Sequence, residues 1–434
     1  MAAFKSSDGC YIGFHSDRYV FSQLDPATWH NLGNPAFHLV ESPVHQQLDE
    51  WLNDCDQEPE LTFPPAKPEF RSFSINIAQV CNLACTYCGA HGGTYGDKVP
   101  MVNLDAVYKQ IHWQLKLIQP GEGLQIRFIG GEPLLYPKII QKIIRHTELS
   151  RAGSNKTVEY SVITNGTMIN SEVSELLAQH NFLVTLSIDG DKKQNDRVRP
   201  TKKKGLSSTE LTLNGLRHLQ SVRSNLRGLH VNCVFGSHNM EIKKAFDFLE
   251  PFDFDSYNFS YAAEKDDDQI SIQYVNALRS LAFELFRRDG LSTLCKIKPF
   301  KPIFIRLHQK MGTKNFCEAG KSLLQTNTNG KLFACNWFMD DKQESVGEGT
   351  NLIENKILNY KNNLIDQHNC HQCWAKNLCG GGCMFVNKTT QNDKHKKDLN
   401  FCFRTRQIAA ICIDLYVGYF LEDQIEKTTL TATR

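Results

Sequence analysis

An α/β fold is predicted by six short apolar runs that alternate with amphipathic stretches between Arg71 and about Glu264, the pattern of a parallel sheet built from strand-helix repeats. Two further observations bound that region. Pro59, Pro64, Pro65 and Pro68 stiffen the chain before it, and a cysteine-rich stretch follows it. At 434 residues the chain exceeds one compact core, and about 150 residues per domain allows two or three. The expected divisions are 1–66, 67–290 and 291–434.

The first segment reads as a small α+β module. Tyr19 to Phe21 and Phe37 to Val40 suit short strands, and Ser42-Pro43 starts a helix with Val44, Leu48, Trp51 and Leu52 on one face. The central strands are Phe73 to Ile77, Leu124 to Ile129, Val158 to Ile163, Leu183 to Ile188, Leu229 to Phe235 and Tyr257 to Tyr261. Between them Leu104 to Leu117, Lys138 to Thr147 and Leu211 to Val222 have helical periodicity. Six repeats fall short of the eight that close a barrel, and ligands in such folds sit at the carboxyl ends of the strands. Near the C-terminus Ile408 to Leu421 carries Asp414 and reads as a packed terminal helix.

Charge excludes some functions. Lys and Arg total 49 against 47 Asp and Glu, so no global field points to nucleic acid or an anionic membrane. Lys202 to Lys204 and Lys394 to Lys397 read as solvated loops. No run reaches the roughly 18 apolar residues of a membrane span. The start, Met-Ala-Ala-Phe-Lys-Ser-Ser-Asp, has no apolar signal segment, so a cytoplasmic location with reduced thiols is expected. Fifteen cysteines in that setting are better explained by metal clusters than by disulfides.

Cys81, Cys85 and Cys88 follow the first central strand as Cys-Asn-Leu-Ala-Cys-Thr-Tyr-Cys. A tight loop with three thiolates leaves a 4Fe-4S cubane one ligand short, whereas clusters that only carry electrons usually have four. Zinc completed by His91 is the other reading, although zinc loops usually space cysteines in pairs. The C-x3-C-x2-C spacing, with an aromatic residue before the last cysteine, resembles the radical S-adenosylmethionine (radical SAM) superfamily. The resemblance implies an open, partial (β/α)6 TIM-like barrel, with SAM chelating the open iron through its amino and carboxylate groups.

Further motifs extend the resemblance. Gly130-Gly131-Glu132-Pro133, 42 residues after Cys88 at a strand end, looks like the turn that grips the SAM amino group, its glycines letting backbone approach a ligand. Thr164-Asn165-Gly166 offers the Asn165 amide to ribose hydroxyls. Ser187-Ile188-Asp189-Gly190, followed by Asn195-Asp196-Arg197-Val198-Arg199, resembles the pattern in which Ser187 and a downstream arginine hold the SAM carboxylate. Arg199 fits the spacing, with Arg197 as the alternative. Tyr87 and Val234 are candidate adenine contacts, and Val234 also suits simple core.

Cys317, Gly330 and Cys335 precede Cys370-x2-Cys373-x5-Cys379-x3-Cys383 and then Cys402. This order resembles the SPASM domain, a loop-rich radical SAM extension with two auxiliary 4Fe-4S clusters. By motif position Cys370, Cys373, Cys379 and Cys402 would hold the outer cluster, and Cys317, Cys335 and Cys383 the inner one. Sulfatase-maturing members have a further cysteine where this chain has Ser322 and Leu323, so the inner cluster has either an open iron or Cys295 as fourth ligand. Asn336 stands where those enzymes place an aspartate base, and it cannot accept a proton at neutral pH. Cys10, Cys55, Cys233 and Cys412 read as ordinary buried thiols.

The expected function is a maturase that crosslinks side chains of a ribosomally made precursor peptide through carbon-carbon, ether or thioether bonds. Aromatic crosslinks of the cyclophane or darobactin type are favoured. The N-terminal module resembles leader-peptide recognition elements or caps the main domain. Expected cofactors are SAM and three 4Fe-4S clusters, and expected partners are the precursor peptide and a flavodoxin- or ferredoxin-like electron donor. Sulfatase formylglycine formation and a non-catalytic iron-sulfur or zinc peptide-binding scaffold are the alternatives. No residue is assigned as catalytic acid or base.

Overall fold

The computed structural model describes residues 2–5, 11–24, 59–66, 69–95, 101–265 and 267–431. They divide into two compact units. One comprises 66–265 and 318–362, and the other 1–65, 266–317 and 363–434. The division therefore does not follow three consecutive segments.

The first unit is built on a mostly parallel sheet. Strands β1 (Ala2–Lys5), β2 (Tyr11–His15) and β3 (Val20–Leu24) belong to the other unit. Here β4 (Ser72–Ala78), β5 (Gly123–Gly130), β6 (Thr157–Thr164), β7 (Leu183–Ser187), β8 (Gly228–Phe235) and β9 (Ser256–Tyr261) pair in that order, every pair parallel. All six expected strands are present, each within two residues of its expected ends. The crossovers include α1 (Leu104–Leu117), α2 (Pro137–Arg151), α3 (Ser171–Gln179), α4 (Lys192–Val198), α5 (Ser208–Ser221) and α6 (Ile242–Leu249). Asn103, Asn170, Asp191 and Ser207 cap four of them, each side chain accepting a backbone N–H that the first turn leaves unpaired.

The six repeats are extended beside β4. β10 (Leu323–Thr326) pairs parallel with β4, and β11 (Lys331–Phe333), β12 (Ser345–Glu348) and β13 (Asn351–Leu352) continue antiparallel. These short polar strands lack the apolar runs that marked β4–β9. Ser322, at a position where another cysteine was considered, is buried, and its carbonyl accepts the Ser72 N–H at 2.8 Å.

In the other unit β1–β3 form an antiparallel sheet. Tyr19 is not in a strand, its φ of 51° placing it in the turn that β3 follows. Phe37 to Val40 and the helix expected from Ser42 lie outside the described residues. The C-terminal part is more helical than the expected loops. Helix Leu399–Thr431 extends the expected Ile408 to Leu421 at both ends and packs on helices Asp268–Asp289 and Phe300–His308. No helix among the described residues is long and apolar enough to cross a membrane.

Candidate functional site

The cysteine loop leaves the end of β4 and is laced to the segment after α4. Ala84 N–H donates to Pro200 O at 2.8 Å and Thr86 N–H to Val198 O at 2.9 Å, while Lys202 N–H donates to Asn82 O at 2.9 Å. The loop then turns tightly, Cys88 N–H donating to Cys85 O at 3.3 Å. Two N–H groups approach the Cys81 sulfur, from Leu83 backbone at 3.4 Å and Asn165 Nδ2 at 3.8 Å. Burial pushes the Cys81 thiol up to about 11, with Glu132 and Cys85 adding to it and Arg199 opposing. Burial also raises Cys85, with Arg199 opposing and Cys88 adding. Cys81 and Cys85 thus share a shielded environment beside the Arg199 guanidinium, and Cys88 acts on Cys85. That donor set, with N–H groups aimed at sulfur, fits an iron-sulfur cluster, whose positive metal replaces the thiol protons.

Among the described residues no three His, Cys, Asp or Glu side chains close around a single ion. His91, which would complete the alternative zinc site, is exposed, and its Nε2 lies 3.2 Å from Asp340 Oδ2.

The Gly-Gly turn also has a packing reason. A Cβ on Gly130 would sit 2.6 Å from Ala78 O, and one on Gly131 would sit 2.3 Å from Val80 O and 2.9 Å from Cys81 N. The glycines let the end of β5 press against the chain entering the cysteine loop. Gly131 N–H donates to Ala78 O at 2.7 Å and Glu132 N–H to Val80 O at 2.9 Å. The pattern reading missed Gly93, whose φ is +94° and whose Cβ would lie 2.7 Å from Gly131 Cα and 2.9 Å from Cys81 Cβ. His91-Gly92-Gly93 was a legible signal for it.

The buried Glu132 carboxylate accepts Leu134 N–H at 3.0 Å, Thr164 Oγ1–H at 2.6 Å and Asn165 N–H at 2.7 Å. It ties the turn, which Pro133 continues, to the end of β6. Three of about four lone-pair positions are used, leaving one for a ligand donor. Burial raises its pKa against these three bonds. Asn165 reaches back to the cysteine loop, its Nδ2 2.8 Å from Asn82 Oδ1, and Asn82 Nδ2 donates to Thr167 Oγ1 at 2.7 Å.

The end of β7 brings in Arg199, which is buried, whereas Arg197 is exposed. Arg199 Nη1–H donates to Tyr87 Oη at 2.6 Å, and Tyr87 O–H donates to Asp189 Oδ2 at 2.5 Å. Burial raises both Asp189 and Tyr87, and Arg199 is the strongest influence opposing each. The phenol stays protonated between a cation and a carboxylate. Asp189, to which its motif assigned no role, also accepts Val234 N–H at 2.9 Å. Tyr87 and Val234, the expected adenine contacts, thus meet through Asp189, and the Tyr87 ring stacks on His238 at 4.5 Å between centroids. Ser187 is half-buried at the β7 end, in register with Asn232.

The second cysteine group lies in the helical unit. Cys370 N–H donates to Ile365 O at 2.8 Å, Cys373 N–H to Cys370 O at 2.9 Å and Cys379 N–H to Ala375 O at 2.8 Å. Gly380, with φ +77°, passes so close to Asn315 that a Cβ would lie 2.3 Å from its carbonyl carbon. Cys402 is carried on helix Leu399–Thr431. Burial pushes Cys379 up to about 12, and Cys402, Cys373 and Cys370 all add to it. All four lie in this unit, and the other three act electrostatically on Cys379. Cys383 is pushed up to about 11 by burial, with Cys317 adding. Those two share this unit, while Cys335 belongs to the other unit, within electrostatic reach of Tyr95 and Tyr360. Cys295 lies near Cys412. Asn336 is hydrogen-bonded to the buried Tyr95.

Residues 75–249 match the family model described as the radical SAM superfamily. The serine-type anaerobic sulfatase-maturating enzyme of Klebsiella aerogenes is 33% identical over 172 residues, 38% of this chain and 41% of that protein. The radical SAM cyclopropyl synthase TigE of Paramaledivibacter caminithermalis is 22% identical over 343 residues, 73% of this chain and 68% of that protein. Among solved structures, native anSMEcpe with bound AdoMet aligns with a TM-score of 0.68 at 19% identity, covering 80% of this chain and 98% of that one. The cysteine loop folds onto the ends of β5, β6 and β7 inside the matched stretch, and residues 75–249 of this chain are a radical SAM domain.

Proposed function

We propose that this chain is a radical SAM maturase that oxidatively crosslinks side chains of a ribosomally made peptide. Cys81, Cys85 and Cys88 would hold the catalytic 4Fe-4S cluster, with Gly130, Gly131, Glu132, Pro133, Asn165, Ser187, Arg199, Tyr87 and Val234 around SAM. When bound, the pair supplies a 5'-deoxyadenosyl radical through one-electron reduction of SAM. The chain's own part is to present one substrate C–H, exclude water and hold the cofactor's charged end against Arg199. Crosslinking would remove two hydrogens from the substrate, one as a hydrogen atom taken by that radical and one as a proton and an electron when the new bond closes. Cys370, Cys373, Cys379 and Cys402 would hold an auxiliary cluster able to accept that electron, and their convergence in one unit is the observation that carries the reading. Cys317 and Cys383, which share that unit, would contribute to a second.

Formylglycine formation is the second reading, favoured by the identity to the sulfatase-maturating enzyme of Klebsiella aerogenes. Against it stands Asn336, a side chain with no proton-accepting role at neutral pH. Both readings are tested by incubating reconstituted enzyme, SAM and reductant with a precursor peptide encoded beside the gene and, separately, with a sulfatase-derived Ser or Cys peptide. Loss of two hydrogens from the first, with a fragmentation gap between joined residues, supports crosslinking. A product trapped by hydrazide from the second supports formylglycine, and unchanged mass of the precursor counts against crosslinking.

A further inference from the structure

The face of the β4–β9 sheet opposite its apolar core carries a charge that the cofactor site does not use. Neighbours in register on parallel strands share a face. Ile126 and Phe128 are in register with Phe73 and Ile75, and all four are fully buried. Arg127, between them, is in register with Ser74 on β4 and Ser161 on β6, so it stands on the opposite, polar face. Its guanidinium is half-buried and makes no hydrogen bond or ion pair among the described residues.

Nearby groups do not answer that charge. Glu159, one step from Ser161 on the same face, ion-pairs with Arg227 Nη1 and accepts Gln125 Nε2–H at 3.2 Å. Burial depresses the Arg127 pKa with no charged neighbour offsetting it. One strand away Asn76, in register with Ile129 and wholly buried, leaves its Oδ1 with no donor, although its Nδ2 lies 3.5 Å from Met339 Sδ. A sheltered cation and a buried carbonyl oxygen, both without a partner among the described residues, are costly unless a ligand brings acceptors to one and a donor to the other.

We propose that Arg127 anchors a carboxylate of the peptide substrate on this face, with Asn76 Oδ1 taking a peptide N–H. The carboxylate is an Asp or Glu side chain or the peptide's own C-terminus. A planar guanidinium with a fork of donors matches a carboxylate bidentately, and an extended peptide supplies the N–H beside it. Arg127 lies three residues before Gly130, roughly 10 Å along the strand at about 3.3 Å per residue. This inference rests on the peptide reading above.

The test uses reconstituted full-length enzyme with SAM and three pools of random dodecapeptides. One pool contains Asp and Glu with amidated C-termini, one replaces them by Asn and Gln with amidated C-termini, and one is the neutral pool with free C-terminal carboxylates. Retained peptides are quantified by mass spectrometry for wild type, Arg127→Gln and Arg127→Lys, alongside SAM affinity and thermal midpoint. Wild type should enrich one carboxylate pool about tenfold or more over the amidated neutral pool, the size of a lost charge-assisted pair. The enriched pool identifies the source. Arg127→Gln should abolish the preference and Arg127→Lys should keep part of it, with SAM affinity and thermal midpoint not lowered. Equal enrichment in wild type and Arg127→Gln, or a weakened SAM affinity or lowered midpoint in the variant, overturns the assignment. Retention of all three pools alike overturns it while leaving the peptide reading intact. Retention of no pool by enzyme that still binds SAM removes the peptide reading and this one with it.

Discussion

Replacing Gly131 by alanine adds one methyl group against the backbone that enters the cysteine loop. Its Cβ would lie 2.3 Å from Val80 O and 2.5 Å from Val80 C, where non-bonded carbons settle at about 3.5 Å or more. Because both neighbours are main chain, no rotamer change relieves the clash, and β5 and the loop must separate by roughly 1 Å. Overpacking of this kind costs about 1–3 kcal/mol, and a reacting group misplaced by about 1 Å loses on the order of a hundredfold in rate. Gly153→Ala is the control, since its φ of +74° gives backbone strain but nothing lies within 4 Å of the added carbon. It should lose about 1–2 kcal/mol and keep full SAM cleavage. The assay is 5'-deoxyadenosine release under reductant, with iron per chain and urea unfolding measured on the same preparations. Gly131→Ala should cleave SAM about a hundredfold more slowly than a Gly153→Ala protein of equal stability. Cleavage within about twofold of wild type, with full iron, would show that the turn does not set the position of Cys81.

Arg199→Gln leaves Asp189 and Tyr87 buried without their cation, which should destabilise the protein by about 3–5 kcal/mol. Asp189→Asn in the same chain should recover part of that loss, and a strictly additive double-mutant cycle in urea would refute the coupling. Burial raises the Tyr257 phenol from its ordinary 10.0 to about 12. The folded state then holds a proton that the unfolded chain releases, so this contribution is intact below pH 10 and is lost as pH rises through about 12, to a limit of about 2.7 kcal/mol. Tyr257→Phe should flatten that part of the alkaline stability profile, and parallel curves for variant and wild type would contradict it. If the chain carries the three proposed clusters, Cys379→Ser should lower iron from about twelve to about eight per chain while SAM is still cleaved. Cys295→Ala should leave iron unchanged because Cys295 neighbours Cys412, and a loss of about four irons would instead make it a cluster ligand.

The strands β4–β9 and helix α1 were legible because each buries one apolar face, which writes its period into the chain. β10–β13 were not, since Leu323–Thr326 and Lys331–Phe333 are short and take their stability from pairing beside β4 rather than from an apolar run of their own. The long helix Asp268–Asp289 was also missed, although Asp267 caps it by accepting Ile270 N–H at 2.9 Å.

The candidate motifs were written in the sequence by itself: three thiols at tight spacing, a Gly-Gly-Glu-Pro turn and a second cysteine series are local facts of residue type and separation. Tertiary structure alone decided what surrounds them. It buried Arg199 rather than Arg197, set Asp189 and Tyr87 against it, made Gly131 a packing contact and left Arg127 without a counter-charge among the described residues. Those outcomes depend on which distant backbones meet across the sheet, and burial and pairing are properties of neighbours in space that no spacing along the chain encodes.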